Sequence, residues 1–230
     1  MATISDNLQQ VRERMQHACL RSGRPIDSVA LLAVTKTVPP SAVQEAYAAG
    51  QRAFGENYVQ EGVDKILALP QLTDAQWHCI GPLQSNKTRL VADHFDWVHT
   101  VDRLKIAQRL SDQRPAHRPA LQVCVQVNID GGANKSGVAP ADVLPLARAI
   151  AQLPRLRLRG LMCIPEPAPD DAAARAVFDQ AYRLFVGLQA AGLAVDTLSM
   201  GISADLEPAI ASGSTLVRVG SALFGARAPQ

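Results

Sequence analysis

Paired cysteines are missing from this chain. Its four cysteines, Cys19, Cys79, Cys124 and Cys163, lie far apart with no CxxC spacing, and three of them sit inside apolar runs. That pattern argues for buried thiols in a reducing compartment rather than a disulfide scaffold. No apolar run approaches the length of a membrane span, and the first fifteen residues, MATISDNLQQVRERM, hold no apolar signal core. A cytoplasmic protein is the expectation. A net charge of only +2 gives no basis for a nucleic-acid or membrane surface. The five histidines show no metal-ligand spacing, so no metal is expected. Lysine is scarce too: five lysines stand against eighteen arginines, so arginine supplies most of the solvating cations. A lysine kept at a strand end is then less easily read as surface filler.

One lysine occupies such a position. Residues 31–35, LLAVT, form a near-continuous apolar run of the kind found in strands buried on both faces, and Lys36 follows directly. An amine at the C-terminal end of a parallel strand enters a partly apolar barrel mouth. Desolvation there disfavours the ammonium form and makes the amine a nucleophile able to form an imine. The alternative is a lysine that snorkels to water.

The rest of the chain supplies the frame. Ile4, Leu8, Val11, Met15 and Cys19 mark an amphipathic helix that Gly23 is placed to end, and that could close the bottom of a barrel. Apolar strand patterns follow at 31–35, 51–56, 76–81, 95–100, 121–129 (the longest), 156–164, 195–200 and 214–220, alternating with helical stretches. Ser41 and Gln44 resemble a capping box, Asp102 is placed to cap the helix after the fourth strand, and Pro145 fits only a first turn, which starts its helix near Asp142. Eight strands alternating with helices, without a glycine-rich dinucleotide turn after the first, predict a single (β/α)8 TIM barrel domain over residues 1–230, with an extra N-terminal helix.

Chemistry in such barrels sits at the C-terminal strand ends, with phosphates held after strands seven and eight. There the chain reads Ser199-Met200-Gly201-Ile202-Ser203 and Arg218-Val219-Gly220-Ser221, the second opening a short helix. Small residues let backbone N–H groups approach an anion, and serine hydroxyls add donors. Arg218 interrupts an apolar strand and needs a partner, either a carboxylate on a neighbouring strand or a ligand at the mouth. An imine-forming lysine, an anion cradle and an arginine beside it match pyridoxal phosphate, which offers an aldehyde, a phosphate and a ring nitrogen.

The segments AVTK, FGENYVQE, WHCIGPLQSNK, NKSG, RGLM, SMGISAD and VRVGSALFG occur in that order. Together they resemble the pyridoxal phosphate homeostasis proteins (YggS/PROSC type), related in fold to the alanine racemase N-terminal barrel, fold type III, and the likeness covers nearly the whole chain. The resemblance implies that Lys36 carries pyridoxal 5′-phosphate as an internal aldimine and that Arg218 faces the pyridine nitrogen. It implies that Gly220, Ser221 and Ser203, with Ser199, hold the phosphate, that Asn57 lies near the ring, and that Met200 lines the pocket. His78, at the end of strand three, reads equally as a core histidine. Lys135 in NKSG reads more readily as a solvated loop lysine, and Val38 stands where many members have a second lysine. Arg155, Arg157 and Arg159 read as a solvated or ion-paired edge. Glu166 and Asp170 lie in a loop able to cover the pocket.

Arginine opposite a pyridine nitrogen leaves that nitrogen neutral, a poorer electron sink than a pyridinium. Racemisation needs a second acid/base on the other ring face. Alanine racemases take theirs from a partner subunit's tyrosine, placed with help from an extra β-domain not found before Gln230. Of Tyr47, Tyr58 and Tyr182, only Tyr58 falls near the expected mouth. The expectation is therefore a monomeric carrier of the cofactor in intracellular pyridoxal phosphate and amino-acid homeostasis, without committed turnover. Its partners are expected to be the cofactor and, transiently, apoenzymes that use it. A racemase-like enzyme is the runner-up, ahead of a cofactor-free Schiff-base lyase.

Overall fold

A computed structural model describes residues 2–132 and 136–225. Eight parallel strands close on themselves in sequence order: β1 (Ala30–Val34), β2 (Ala53–Glu56), β3 (Gln76–Cys79), β4 (Trp97–Val101), β5 (Leu121–Gln126), β6 (Leu156–Met162), β7 (Thr197–Ile202) and β8 (Leu216–Val219). The closure pairs Ala30 with Leu216 and Ala33 with Val219, so no strand edge is left open. Around the barrel run α1 (Ile4–Arg21), α2 (Pro40–Ala48), α3 (Val59–Ala68), α4 (Thr88–His94), α5 (Leu104–Gln113), α6 (Val143–Ala151), α7 (Asp171–Ala190), α8 (Leu206–Ala211) and α9 (Ser221–Phe224). The predicted (β/α)8 barrel is the observed architecture.

Strand periodicity divides the core in two. Leu32, Ile80 and Leu216 form a small cluster with Val34 and Ala53 inside the barrel, and Trp97, Cys124 and Met162 form another. The alternate residues, among them Phe54, Val98, Leu161 and Met200, face the helices and join a far larger layer with Val43, Ile106 and Phe178. All four cysteines are buried thiols. Burial pushes Cys79 and Cys124 up to about 12, which makes them unreactive at neutral pH.

Several local expectations are corrected. The capping box belongs to α1, where Thr3 and Asp6 exchange side-chain and backbone bonds. At α2 the N-cap is Pro39, with Pro40 opening the helix and Ser41 inside it. Asp102 pairs with Arg103, which is itself the N-cap of α5. The longest strand is β6, not β5. Helix α1 packs in the outer layer against α2, α8 and α9, because its apolar stripe finds theirs there. At the lower rim Arg159 forms a two-point pair with Asp196 and lies 4.5 Å over the Trp97 ring, an ion-paired edge as expected. Among the described residues no helix is long and apolar enough to cross a membrane.

Candidate functional site at the barrel mouth

Lys36 continues the inward-facing series Leu32, Val34 past the end of β1, and this parity carries its side chain to the mouth. There it lines a cavity of about 310 Å³ together with Asn57, Ser203, Arg218, Gly220 and Ser221. Val34, Ile80, Ile164 and Ile202 supply the apolar part of the wall. Six of the residues expected at the site thus meet in one space. A second cavity, of about 360 Å³, adjoins it across Lys36 and Gly220 and is lined by Val38, Pro39 and Phe224.

Two expected residues do not line the mouth cavity. Met200 is fully buried in the layer between strands and helices, because its strand position has the outward parity. Ser199 has the inward parity but lies lower in the barrel, fully buried. Its hydroxyl is engaged by Arg218 and His99 instead of facing the cavity. Lys135 lies outside the described residues. Ile164, before Glu166, does reach the cavity wall, while Asp170 caps α7 by accepting from Ala173 N–H. None of the three tyrosines lines the cavity: Tyr58 is exposed, Tyr47 bonds Asp74, and Tyr182 packs over Gly213.

Arg218 is 4 % exposed, and among the described residues no carboxylate lies within ion-pair distance of it. The neighbouring-strand salt bridge is not the answer to its burial. It is held from behind by neutral acceptors: Nη1 donates to Ser199 Oγ at 2.8 Å and Nη2 to the Cys163 carbonyl at 2.9 Å. Burial lowers its pKa, with the Asp205 carboxylate acting the other way from beyond ion-pair distance, and an arginine guanidinium stays protonated in proteins.

Behind Ser199 runs a polar spine that sequence reasoning missed. Ser199 Oγ lies 2.9 Å from His99 Nδ1, and His99 Nε2 lies 2.9 Å from His78 Nδ1. Arg218 donates to Ser199 Oγ, and each neutral histidine ring carries one proton, so the two His contacts run in the same sense, set by the tautomer of His99. His78 Nε2, at the far end, has no partner among the described residues. His78 stacks on Trp97 with centroids 5.0 Å apart. Burial holds His78 at about 3, with the charge of Arg159 acting in the same direction. Burial also holds His99 well below its ordinary value. Both rings are therefore neutral at physiological pH. The signal was present in the sequence as period-two parity: His78, Trp97 and His99 all face inward, but scattered histidines do not announce a shared interior.

The cavity thus offers a primary amine, a charged donor held by neutral groups, and two small-residue loops. Asn57 Oδ1 is a buried acceptor with no partner among the described residues. This donor set suits a ligand with a carbonyl for the amine, an acceptor for the guanidinium and an anion for the loops. Residues 2–228 match the alanine racemase N-terminal domain family.

The chain belongs to that family. It is 57% identical over 227 residues to the pyridoxal phosphate homeostasis protein of Pseudomonas aeruginosa, covering 99% of this chain and 97% of the relative. To the protein of the same name from Escherichia coli K12 it is 56% identical over 229 residues, covering 99% and 98%. Among solved structures, PipY of Synechococcus elongatus PCC7942, with PLP bound, superposes with a TM-score of 0.83 at 41% identity, covering 97% of this chain and all of that one.

Within the family barrel of this chain one glycine guards the site. A Cβ at Gly81 would meet the Asn57 carbonyl oxygen at 1.9 Å, a backbone atom with no room to yield. Gly81→Ala is expected to destabilise the protein by about 3 kcal/mol or more and to displace Asn57 from the cavity. Urea unfolding checks the first effect and cofactor affinity the second.

Proposed function

We propose that this chain binds pyridoxal 5′-phosphate at the barrel mouth and serves as a carrier and buffer of that cofactor in intracellular vitamin B6 and amino-acid homeostasis. One observation carries the reading: Lys36 and a buried Arg218 without a carboxylate partner face the same cavity. The likeness to proteins named for pyridoxal phosphate homeostasis and to a PLP-bound structure supports it. The cofactor's aldehyde condenses with a primary amine with loss of water. Lys36 supplies that amine. Gly220, Ser221 and Ser203 would hold the phosphate, Asn57 would lie at the ring edge, and Arg218, which has no proton to surrender, would donate to the ring nitrogen. Met200 and Ser199 have no direct contact in this reading.

The carrier reading is preferred to a racemase because, apart from the permanently charged Arg218, Lys36 is the only ionisable side chain lining the cavity among the described residues. Proton transfer on both faces of a substrate needs two. Apoenzymes that use the cofactor are the partners this reading implies, in the cytoplasm, where buried cysteine thiols persist reduced.

Lys36→Ala is expected to abolish the visible absorbance of the covalently held cofactor while leaving weaker, phosphate-driven binding. Titration of the cofactor-free wild type and variant, followed by absorbance and by equilibrium dialysis, tests it. A variant that kept the wild-type visible band would refute the anchor assignment. A wild type that could not be loaded at all would refute the cofactor.

A further inference from the structure

The residues on either side of Lys36 are held by a buried ion cluster that takes no part in the cavity. Lys65, on α3, is 5 % exposed, and its ammonium donates to Glu56 Oε1 at 2.9 Å, to Glu61 Oε1 at 2.6 Å and to the Thr35 carbonyl. All three of its donors are thereby used. The same two carboxylates reach the strand end a second time. Glu56 Oε1 accepts from Thr35 Oγ1, and Glu61 Oε1 accepts from the Thr37 backbone N–H, both at 2.5 Å. The backbone is therefore gripped at residue 35 and at residue 37, with Lys36 between.

The grip matters because of what it holds. Thr37 has φ +61, the only non-glycine residue at positive φ among those described. A β-branched residue adopts the left-handed region only when its surroundings over-determine it, and such strain collects at functional sites. Here the Glu61 carboxylate bonds the N–H of the strained residue itself. The cluster lies on the outer side of β1 and β2, with Glu56 fully buried, while Lys36 points inward. Its members can affect the cavity only through the backbone they hold.

We infer that Lys65, Glu56 and Glu61 form a clamp that fixes the strained turn at Thr37 and thereby aims the Lys36 amine into the cavity. They are positioning residues for covalent attachment, an inference that rests on Lys36 being the attachment point. Released from the clamp, Thr37 relaxes to negative φ and the Lys36 side chain swings with it. Non-covalent capture by the loops and Arg218 is untouched, since none of those groups contacts the clamp.

The test compares the wild type with Glu61→Ala and Glu61→Gln, Gln being able to accept from Thr37 N–H as Glu does. Glu61 is the member least buried, which favours folding of both variants; a melting curve accompanies each. Three quantities are read. One is amide hydrogen exchange of residues 35–38 in the cofactor-free protein. The second is affinity for pyridoxine 5′-phosphate, which has no aldehyde. The third is the rate at which the visible band grows after mixing with pyridoxal 5′-phosphate. Glu61→Ala is expected to lose exchange protection at 35–38, to keep its affinity for the aldehyde-free ligand within about threefold, and to link the cofactor about tenfold more slowly or worse. Glu61→Gln is expected to restore the linkage rate to within about threefold of wild type, because the acceptor is regained.

Equal linkage rates in wild type and Glu61→Ala would overturn the clamp. So would parallel loss of affinity for both ligands, the mark of a merely structural role, or a Glu61→Gln variant as slow as Glu61→Ala. A wild type that captures the aldehyde-free ligand but never develops the band would instead overturn attachment at Lys36, and the clamp with it, whatever the variants do.

Discussion

Arg218→Met is expected to separate cofactor retention from folding. Burying a guanidinium without a direct ion pair is costly, and among the described residues Arg218 hydrogen-bonds only the Ser199 hydroxyl and the Cys163 carbonyl, with the Asp205 carboxylate attracting it from beyond ion-pair distance. Replacing such a charge by an apolar side chain of similar length relieves that desolvation, and buried ionic groups replaced in this way often cost no stability. The opposing loss is the two hydrogen bonds to the Cys163 carbonyl and to Ser199 Oγ, about 1–3 kcal/mol and falling mainly on the carbonyl, because Ser199 Oγ keeps His99. The two effects are of the same order. The cofactor-free variant is therefore expected to unfold within about 2 kcal/mol of the wild type. Retention behaves differently. A charged donor to the ring nitrogen is worth about 1.5–3 kcal/mol, so release should be about ten- to a hundredfold faster, with a shifted visible band. Urea unfolding and the loss of colour on dilution measure the two effects. Wild-type retention in Arg218→Met would show that Arg218 does not face the cofactor.

The second large effect is acid sensitivity arising from the polar spine. His78 titrates at about 3 when folded and near 6.5 when unfolded, because burial removes the charged form's solvation. Between those values the unfolded chain binds the proton and the folded chain does not, so stability rises with pH across that window and falls as pH drops below 6.5. For His78 alone the loss between pH 7.5 and 5 is about 2 kcal/mol. His99 is shifted the same way and adds to it. Glu56 and Asp205, both raised by burial, work in the opposite direction at the acid end. A comparison with His78→Gln isolates the histidine. Cofactor-free wild type should show a steeper dependence of unfolding free energy on pH between 4 and 6, by about one proton, than the variant. Identical slopes would mean that His78 is not held neutral in the folded barrel.

The barrel was legible because period-two strands and period-3.6 helices alternate without interruption, and strand ends fall where apolar runs stop. Lys36, Ser203, Gly220 and Ser221 were legible as a site because each follows an apolar run at its C-terminal side, Arg218 because it is a charge inside such a run, and Asn57 only through the family resemblance. What failed was depth and parity. Ser199 and Met200 stand beside Ser203 in sequence, yet one faces the lower interior and the other the helices, a distinction that needs the register of β7 against β8. Helix caps failed at Ser41 and Asp102, where a proline and an arginine took the position a polar cap would have filled. The Lys65 clamp and the His78–His99 spine were invisible, since each joins residues from separate strands or from a strand and a helix. A lysine in mid-helix reads as solvated until the structure buries it.

The most direct measurement is borohydride reduction of the loaded protein followed by peptide mapping. Reduction fixes the cofactor as a stable secondary amine on whichever lysine holds it. With Lys36 as the anchor, the expected result is one labelled peptide, containing Lys36, and loss of the label in Lys36→Ala. A label distributed over Lys87, Lys105 and Lys135, or persisting at one of them in Lys36→Ala, would contradict it.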